Sequence, residues 1–362
     1  MKKRVFLGLV LVFFFVNNVH GLTETNPQEH RGVPGVLMLL LDDEVKDIDP
    51  HPPVHTWEVM SRPMLEKRYN HAVVSDSDGN LYVIGGIDDP VFGWGGTNTI
   101  FLYNTATGKW DRGKALTDNL AKINLAGIDA KLINGKIYVP GDLNNNKTYV
   151  YNIVDDEWSN FEHNNGFSAR AYYSTVVIES NLYVLGGVIE DLISTNQVWV
   201  LNTETGEWTE GTPMQDARMN FAAAVIHGDI YVAGGAIYPG FDPVMSVEKN
   251  TSDQWSYIGE IPDGDGSYDR WSFMAHSATE STLWLAGGLR SDDPEDVLNH
   301  AGYYDPLSNI WEDSFNSIVP TLTHGRTHLS GAVASDGYFY VIGGLDEEGK
   351  ITDINERIRV VD

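Results

Sequence analysis

Leu81-Tyr-Val-Ile-Gly-Gly86 reads as a short apolar strand that runs into two glycines, and it is one of six such stretches. The others are Ile137-Tyr-Val-Pro-Gly141, Leu182-Tyr-Val-Leu-Gly-Gly187, Ile230-Tyr-Val-Ala-Gly-Gly235, Leu283-Trp-Leu-Ala-Gly-Gly288 and Phe339-Tyr-Val-Ile-Gly-Gly344. Gly85 to Gly343 is 258 residues over five intervals, a mean of 51.6. Self-similarity at a fixed period marks a repeat architecture, in which each unit is one supersecondary element.

Each stretch follows another apolar run, such as His71-Ala-Val-Val or Phe221-Ala-Ala-Ala-Val-Ile226, across turn residues such as Asp78-Gly79-Asn80 or Asn134-Gly135. That is a hairpin. A strand residue, a polar turn and a tryptophan then follow: Tyr103 with Trp110, Tyr151 with Trp158, Leu201 with Trp208, Glu248 with Trp255 and Tyr304 with Trp311, each pair seven apart. The fixed offset predicts a second hairpin, and two hairpins per repeat make one four-stranded blade.

Radial packing gives these residues their work. Glycine pairs suit the crowded inner end, where a side chain would meet neighbouring backbone. Tryptophans suit the outer strand, where the widening gap between blades needs a large apolar ring. The last repeat has its glycines and a third strand at Glu356-Arg-Ile-Arg-Val-Val-Asp362, but no tryptophan follows. Trp57-Glu-Val-Met60, ahead of the first repeat and without a hairpin partner there, is expected to supply that outer strand and close the ring.

The glycine-pair, tyrosine and tryptophan pattern resembles the kelch-repeat family, over residues 57–362. Kelch units run to about 50 residues. The resemblance implies an all-β, six-bladed β-propeller with four-stranded blades, closed by an N-terminal outer strand. Blade two departs from the pattern with Pro140-Gly141, and blade four has Glu248 in place of the usual aromatic. The motif residues serve packing, so they speak for fold and not for activity.

Lys2, Lys3 and Arg4 followed by an apolar run from Val5 to Val16 and the small Gly21 form the layout of a signal peptide over 1–21. Twelve apolar residues are too few for a bilayer, which needs about 20, so secretion and no membrane span are expected. Residues 22–56, with the apolar Val36-Leu-Met-Leu-Leu-Leu41, read as an irregular extension too short for a BTB-type adaptor domain. The formal charge of −27 argues against nucleic acid. With no cysteine, disulfides, thiolate metal sites and the cross-linked tyrosine cofactor of the similar galactose oxidase are all excluded.

An arginine recurs ahead of the first strand of the blades: Arg68, Arg170, Arg218, Arg270 and Arg326, with Lys122 in blade two. Each lies 16 to 18 residues before its glycine-pair position, and the chain has twelve arginines in all. A ring of guanidinium groups at one mouth of the channel would bind carboxylates on an acidic peptide or sugar. The alternative is pairing with acids in the neighbouring loops, among them Asp88, Asp89, Glu190, Asp191, Asp346, Glu347 and Glu348. Asp292, Asp296 and His300, spaced by fours, resemble the iron motif of the plant specifier proteins, with Asp where those have Glu. Asp263, Asp265 and Asp269 lack the full loop of a calcium site. Asn146-Lys-Thr148 and Asn250-Thr-Ser252 are glycosylation sequons, both expected on exposed loops.

The resulting expectation is a secreted, monomeric, non-enzymatic binding module without a cofactor, presenting an arginine-lined loop face to an extracellular protein or acidic glycan. The alternatives are an enzyme acting on a small acidic sugar, as in the similar sialic acid mutarotases, and a metal-dependent specifier-type protein. No histidine falls in a recognisable catalytic arrangement.

Overall fold

Among the described residues the chain forms six antiparallel sheets of four strands, one per repeat, with three two-stranded sheets besides. The computed structural model describes residues 56–89, 96–118, 121–122, 125–144, 146–262, 272–289, 297–314 and 318–360. The expected signal peptide, nearly all of the extension over 22–56 and its apolar run lie outside the described residues. Among the described residues there is no helix, and so none that could cross a membrane.

Blade one shows the plan, with strands Ala72–Ser75, Asn80–Ile84, Ile100–Asn104 and Lys109–Arg112 in hydrogen-bonded order. The conserved period puts the same four strands in blades two to five. The first strands lie innermost: those of successive blades contact one another all the way round, and all six line one axial cavity. Blade six carries Ser330–Val333, Tyr338–Ile342 and Asn355–Arg359, and its outer strand is Glu58–Val59, from the other end of the described chain.

Several contacts make that closure. Glu58 pairs with Arg357 and Val59 with Glu356 in the ladder, and the Arg357 guanidinium donates to the Glu58 carboxylate at 3.0 Å. Trp57 is buried, with its ring edge-on to Phe339 at 6.1 Å, and its indole N–H donates to the Pro320 carbonyl at 2.9 Å. Trp110, Trp158 and Trp255 repeat this bond to the incoming connection of their own blade, reaching the carbonyls of Arg62 at 3.4 Å, Lys114 at 2.7 Å and Thr212 at 2.9 Å, whereas the buried Trp208 indole N–H has no partner among the described residues. In those blades the aromatic ring that fills an inter-blade gap also finds a partner for its polar edge.

The glycine pairs sit where strands crowd against the next blade. Gly186 has φ +58°, and a Cβ there would stand 2.6 Å from the Arg218 carbonyl oxygen; Gly343 has φ +60°, with the Arg68 oxygen at 2.5 Å. Only glycine tolerates both the conformation and the approach.

One register differs from the expected pattern. In blade four the residue opposite Trp255 is Asn250, not Glu248, because the turn there is shorter; a bulge between Val247 and Glu248 lies further along the strand. Glu248 instead occupies the place that Phe101 holds in blade one and Glu356 in blade six, opposite the second-strand valines Val232, Val83 and Val341.

Trp57→Ala should destabilise the protein by about 3–5 kcal/mol, the usual cost of emptying a buried aromatic site. Urea denaturation would show this as a lower midpoint at an unchanged slope. A midpoint equal to the parent's would mean that ring closure does not depend on the N-terminal strand.

Candidate functional site

Arg68, Arg170, Arg218 and Arg326 are fully buried, at 0% exposure. Each donates Nη1–H to the carbonyl of the first glycine of its own blade's pair: Gly85 at 2.8 Å, Gly186 at 3.2 Å, Gly234 at 2.9 Å and Gly343 at 2.9 Å. The backbone carbonyls of three of them accept the second glycine N–H of the preceding blade. Gly344 reaches Arg68 at 2.9 Å, Gly187 reaches Arg218 at 2.9 Å and Gly288 reaches Arg326 at 2.8 Å. These arginines stitch one blade to the next, and no ring of free guanidinium groups formed by them faces a ligand.

Two of these arginines, Arg218 and Arg326, are paired with buried acids. Glu248 accepts from Arg218 and from the N–H groups of Gln215 at 2.7 Å and Asp216 at 3.1 Å. Glu356 accepts from Arg326 at 3.1 Å and from the Thr323 N–H and hydroxyl at 2.8 and 2.6 Å. At the equivalent register position in blade one, the Phe101 ring lies 4.0 Å from the Arg68 guanidinium carbon, with Glu66 at 3.4 Å. Arg170 uses the Gln197 amide oxygen at 3.3 Å and the Phe167 ring. Burial pulls Arg68, Arg170 and Arg326 down to about 10, which leaves them charged at neutral pH.

The remaining expected residues fall out of line with these. Lys122 belongs to the short strand Ala121–Lys122, paired with Thr117–Asp118. The blade-two counterpart of the arginines is Leu125, whose carbonyl accepts the Gly86 N–H at 2.8 Å. Arg270, Asp292, Asp296, Asp263, Asp265 and Asp269 lie outside the described residues. His300 is half-buried in the blade-five connection, and among the described residues no group of three or more His, Asp or Glu is placed to hold a metal. Asn146 is exposed just before the strand Lys147–Asn152, whereas Asn250 lies within the strand Ser246–Thr251 and not on a loop.

Two residues beyond Arg68, Leu125, Arg170, Arg218 and Arg326, and three beyond Arg270, the chain turns through the left-handed region. Asn70, Gly127, Tyr172, Asn220, Phe273 and His328 have φ of 55°, 64°, 59°, 49°, 56° and 55°. Each donates its N–H to the carbonyl of its counterpart in the preceding blade, at 2.6 to 3.3 Å, and the Asn70 N–H to the His328 carbonyl closes the circle. Six backbone hydrogen bonds thus run round the axis and frame the mouth of the channel.

Asparagine, glycine and histidine accept a left-handed backbone readily, while a bulky aromatic does so at a cost of about 1–3 kcal/mol. Tyr172 and Phe273 are held there nonetheless. Tyr172 lies over Gly127, where a Cβ would stand 2.8 Å from its ring. Phe273 packs on His328 with centroids 4.1 Å apart and lies 6.5 Å from Phe241, which meets Tyr238 edge-on at 5.3 Å. The Tyr238 N–H donates to the Ser194 hydroxyl at 2.8 Å and so joins the loops of blades three and four. Leu192, Ile193, Ile237 and Phe241 on those loops are 49%, 47%, 38% and 39% exposed. Asp88, Asp89, Glu190, Asp191, Asp242, Glu347 and Glu348 are exposed on the same set of connections, between second and third strands, where Lys350 is the sole lysine or arginine among the described residues.

Residues 52–235, just over half of the chain, match the family model described as the KLHDC2/KLHL20/DRC7 Kelch-repeats domain. The chain belongs to the kelch-repeat family. Kelch-like protein terF of Aspergillus terreus is 26% identical over 340 residues, covering 86% of this chain and 69% of that protein. Kelch repeat and BTB domain-containing protein 2 of Ectromelia virus is 29% identical over 212 residues, 55% of this chain and 36% of its own. Human Kelch-like protein 23 is 27% identical over 222 residues, 48% of this chain and 37% of its own. Against the last two, this chain spans little more than a third of the relative's length.

In this kelch propeller Arg218→Ala would strand the Glu248 carboxylate, itself 0% exposed. A loss of about 3–5 kcal/mol in chemical denaturation is expected, with most of it recovered in the double variant Arg218→Met with Glu248→Leu. A single variant within about 0.5 kcal/mol of the parent, the usual range at a surface site, would return this arginine to a solvent-facing role.

Proposed function

We propose that the propeller is a protein-interaction module whose loop face, between the mouth of the channel and the loops of blades three and four, seats an apolar segment of a partner flanked by basic residues. The observation that carries this reading is the pair of strained aromatics, Tyr172 and Phe273, beside the exposed Leu192, Ile193, Ile237 and Phe241. Aromatic side chains in a contiguous apolar patch are the usual anchors of protein interfaces. Backbone strain retained by bulky residues points the same way, since such strain gathers at binding sites.

The surrounding acids set the charge of the partner. With Lys350 the sole lysine or arginine among the described residues of those connections, against seven exposed Asp and Glu, and −27 on the whole chain, a basic segment is steered in and an acidic one is repelled. The proposed ligand is therefore a protein with a basic and apolar segment rather than an acidic peptide or glycan. Its proposed setting is extracellular, on the support of the Lys2 to Gly21 pattern, and the exposed Asn146 is the better placed of the two sequons to carry a glycan.

Selection of a random peptide library on the immobilised full-length protein tests the reading. Enriched peptides should combine Lys or Arg with apolar residues, and Leu192→Asp with Phe241→Asp should weaken them about tenfold or more at an unchanged melting temperature. Enrichment of acidic peptides, or binding that survives the double variant, would overturn it.

A further inference from the structure

Beneath the ring of left-handed residues the axial chamber departs from the repeat at one place. Its walls come from the first strands of all six blades, and the cavity measures about 290 Å³, just under the range of most small-molecule pockets. The ladder puts one residue per blade opposite the tyrosine or tryptophan of the second strand. These are Val74, Lys131, Val176, Ala224, Ser277 and Ala332, opposite Tyr82, Tyr138, Tyr183, Tyr231, Trp284 and Tyr340. Five are small or apolar, and blade two alone places a cation there.

Asp129 fixes that cation, and its own hydrogen-bonding capacity is used up in doing so. Its Oδ2 accepts the Thr175 N–H and hydroxyl, both at 2.7 Å, and its Oδ1 accepts the Ala130 N–H at 2.7 Å. The Lys131 ammonium lies 3.3 and 3.2 Å from the two oxygens. The Lys131 charge holds the Asp129 carboxyl below the usual range despite its burial, with His276 and the Thr175 donors acting the same way. A carboxylate so surrounded by donors has little left to offer a bound cation. Lys131 has three N–H groups, and Asp129 is its only hydrogen-bond partner among the described residues.

His276 comes from blade five and lines both the chamber and the mouth above it. Its ring makes no hydrogen bond among the described residues. Burial, opposed by Asp129 and aided by Lys131, lowers it to about 4, so at neutral pH it is an uncharged ring with one N–H to give. Lys131 and His276 thus bring unused donors to a cavity whose other lining includes Val74, Val176, Ala224, Val225, Ala278 and Ala332, together with Ser75 and Ser277.

We infer that this chamber binds a small carboxylic acid with a short apolar tail, its carboxylate on Lys131 and His276 and its tail against the valines and alanines. The donors suit an anion, the valines and alanines suit a short hydrocarbon, and the volume matches a small molecule. The site lies below the loop face, with His276 shared between the chamber and its mouth, and needs no partner protein.

Titration calorimetry of the full-length protein with butyrate at pH 7, against n-butylamine and n-butanol of the same length, tests this. Butyrate should bind saturably and the other two should not. Lys131→Gln and His276→Phe should each weaken butyrate about tenfold or more, the usual worth of a hydrogen bond to a charged group. Should Lys131→Gln fail to fold, His276→Phe, which leaves the Asp129 pair untouched, decides alone. Absence of saturable butyrate binding, equal binding of butylamine, or unchanged affinity in a folded variant would overturn the inference.

Discussion

The circle of six backbone hydrogen bonds from Asn70 through Gly127, Tyr172, Asn220, Phe273 and His328 is the constraint on which the remainder of the structure rests. It can close only if each blade turns left-handed at the same point, and only if six blades of equal width stand round the axis. Everything nearby is arranged to permit that turn. The glycine pairs let the carbonyl of the next blade approach to within the reach of a Cβ. The buried arginines then tie first-glycine carbonyls that would otherwise lack donors, and the acids at the register of Glu248 and Glu356 neutralise two of them. At the rim, Trp57 completes the sixth sheet and lets the inner circle be a circle.

The period, the four-stranded blade and the closure by Trp57 were all legible in the sequence, because each depends on residue types that repeat at fixed offsets. The arginines were equally legible as a pattern, yet their recurrence reflects packing: a guanidinium is long enough to reach the first-glycine carbonyl and carries enough donors to serve two partners. Periodicity alone does not distinguish a side chain that points to solvent from one that is fully enclosed. Lys122 entered the set because it is basic and close by, whereas the chain geometry gives its place to Leu125. Glu248 was assigned to face Trp255 from an offset of seven, and a shorter turn placed it opposite Tyr257 instead.

The features of greatest interest for function break the repeat. Asn, Gly, Tyr, Phe and His share no chemistry that would reveal a common left-handed position, so Tyr172 and Phe273 became visible as presented aromatics only through their backbone angles. Lys131 and His276 are 145 positions apart in sequence and meet across the axis because blades two and five face it together. A propeller separates these duties cleanly. What recurs in every blade holds the ring, and what occurs in one blade is free to serve binding.

Native-state hydrogen exchange of the six ring amides tests the central claim most directly. If the circle is closed and cooperative, the N–H groups of Asn70, Gly127, Tyr172, Asn220, Phe273 and His328 should exchange together, at the rate set by global unfolding. Rapid or scattered exchange among them, with the blade strands still protected, would contradict a ring held shut at its axis.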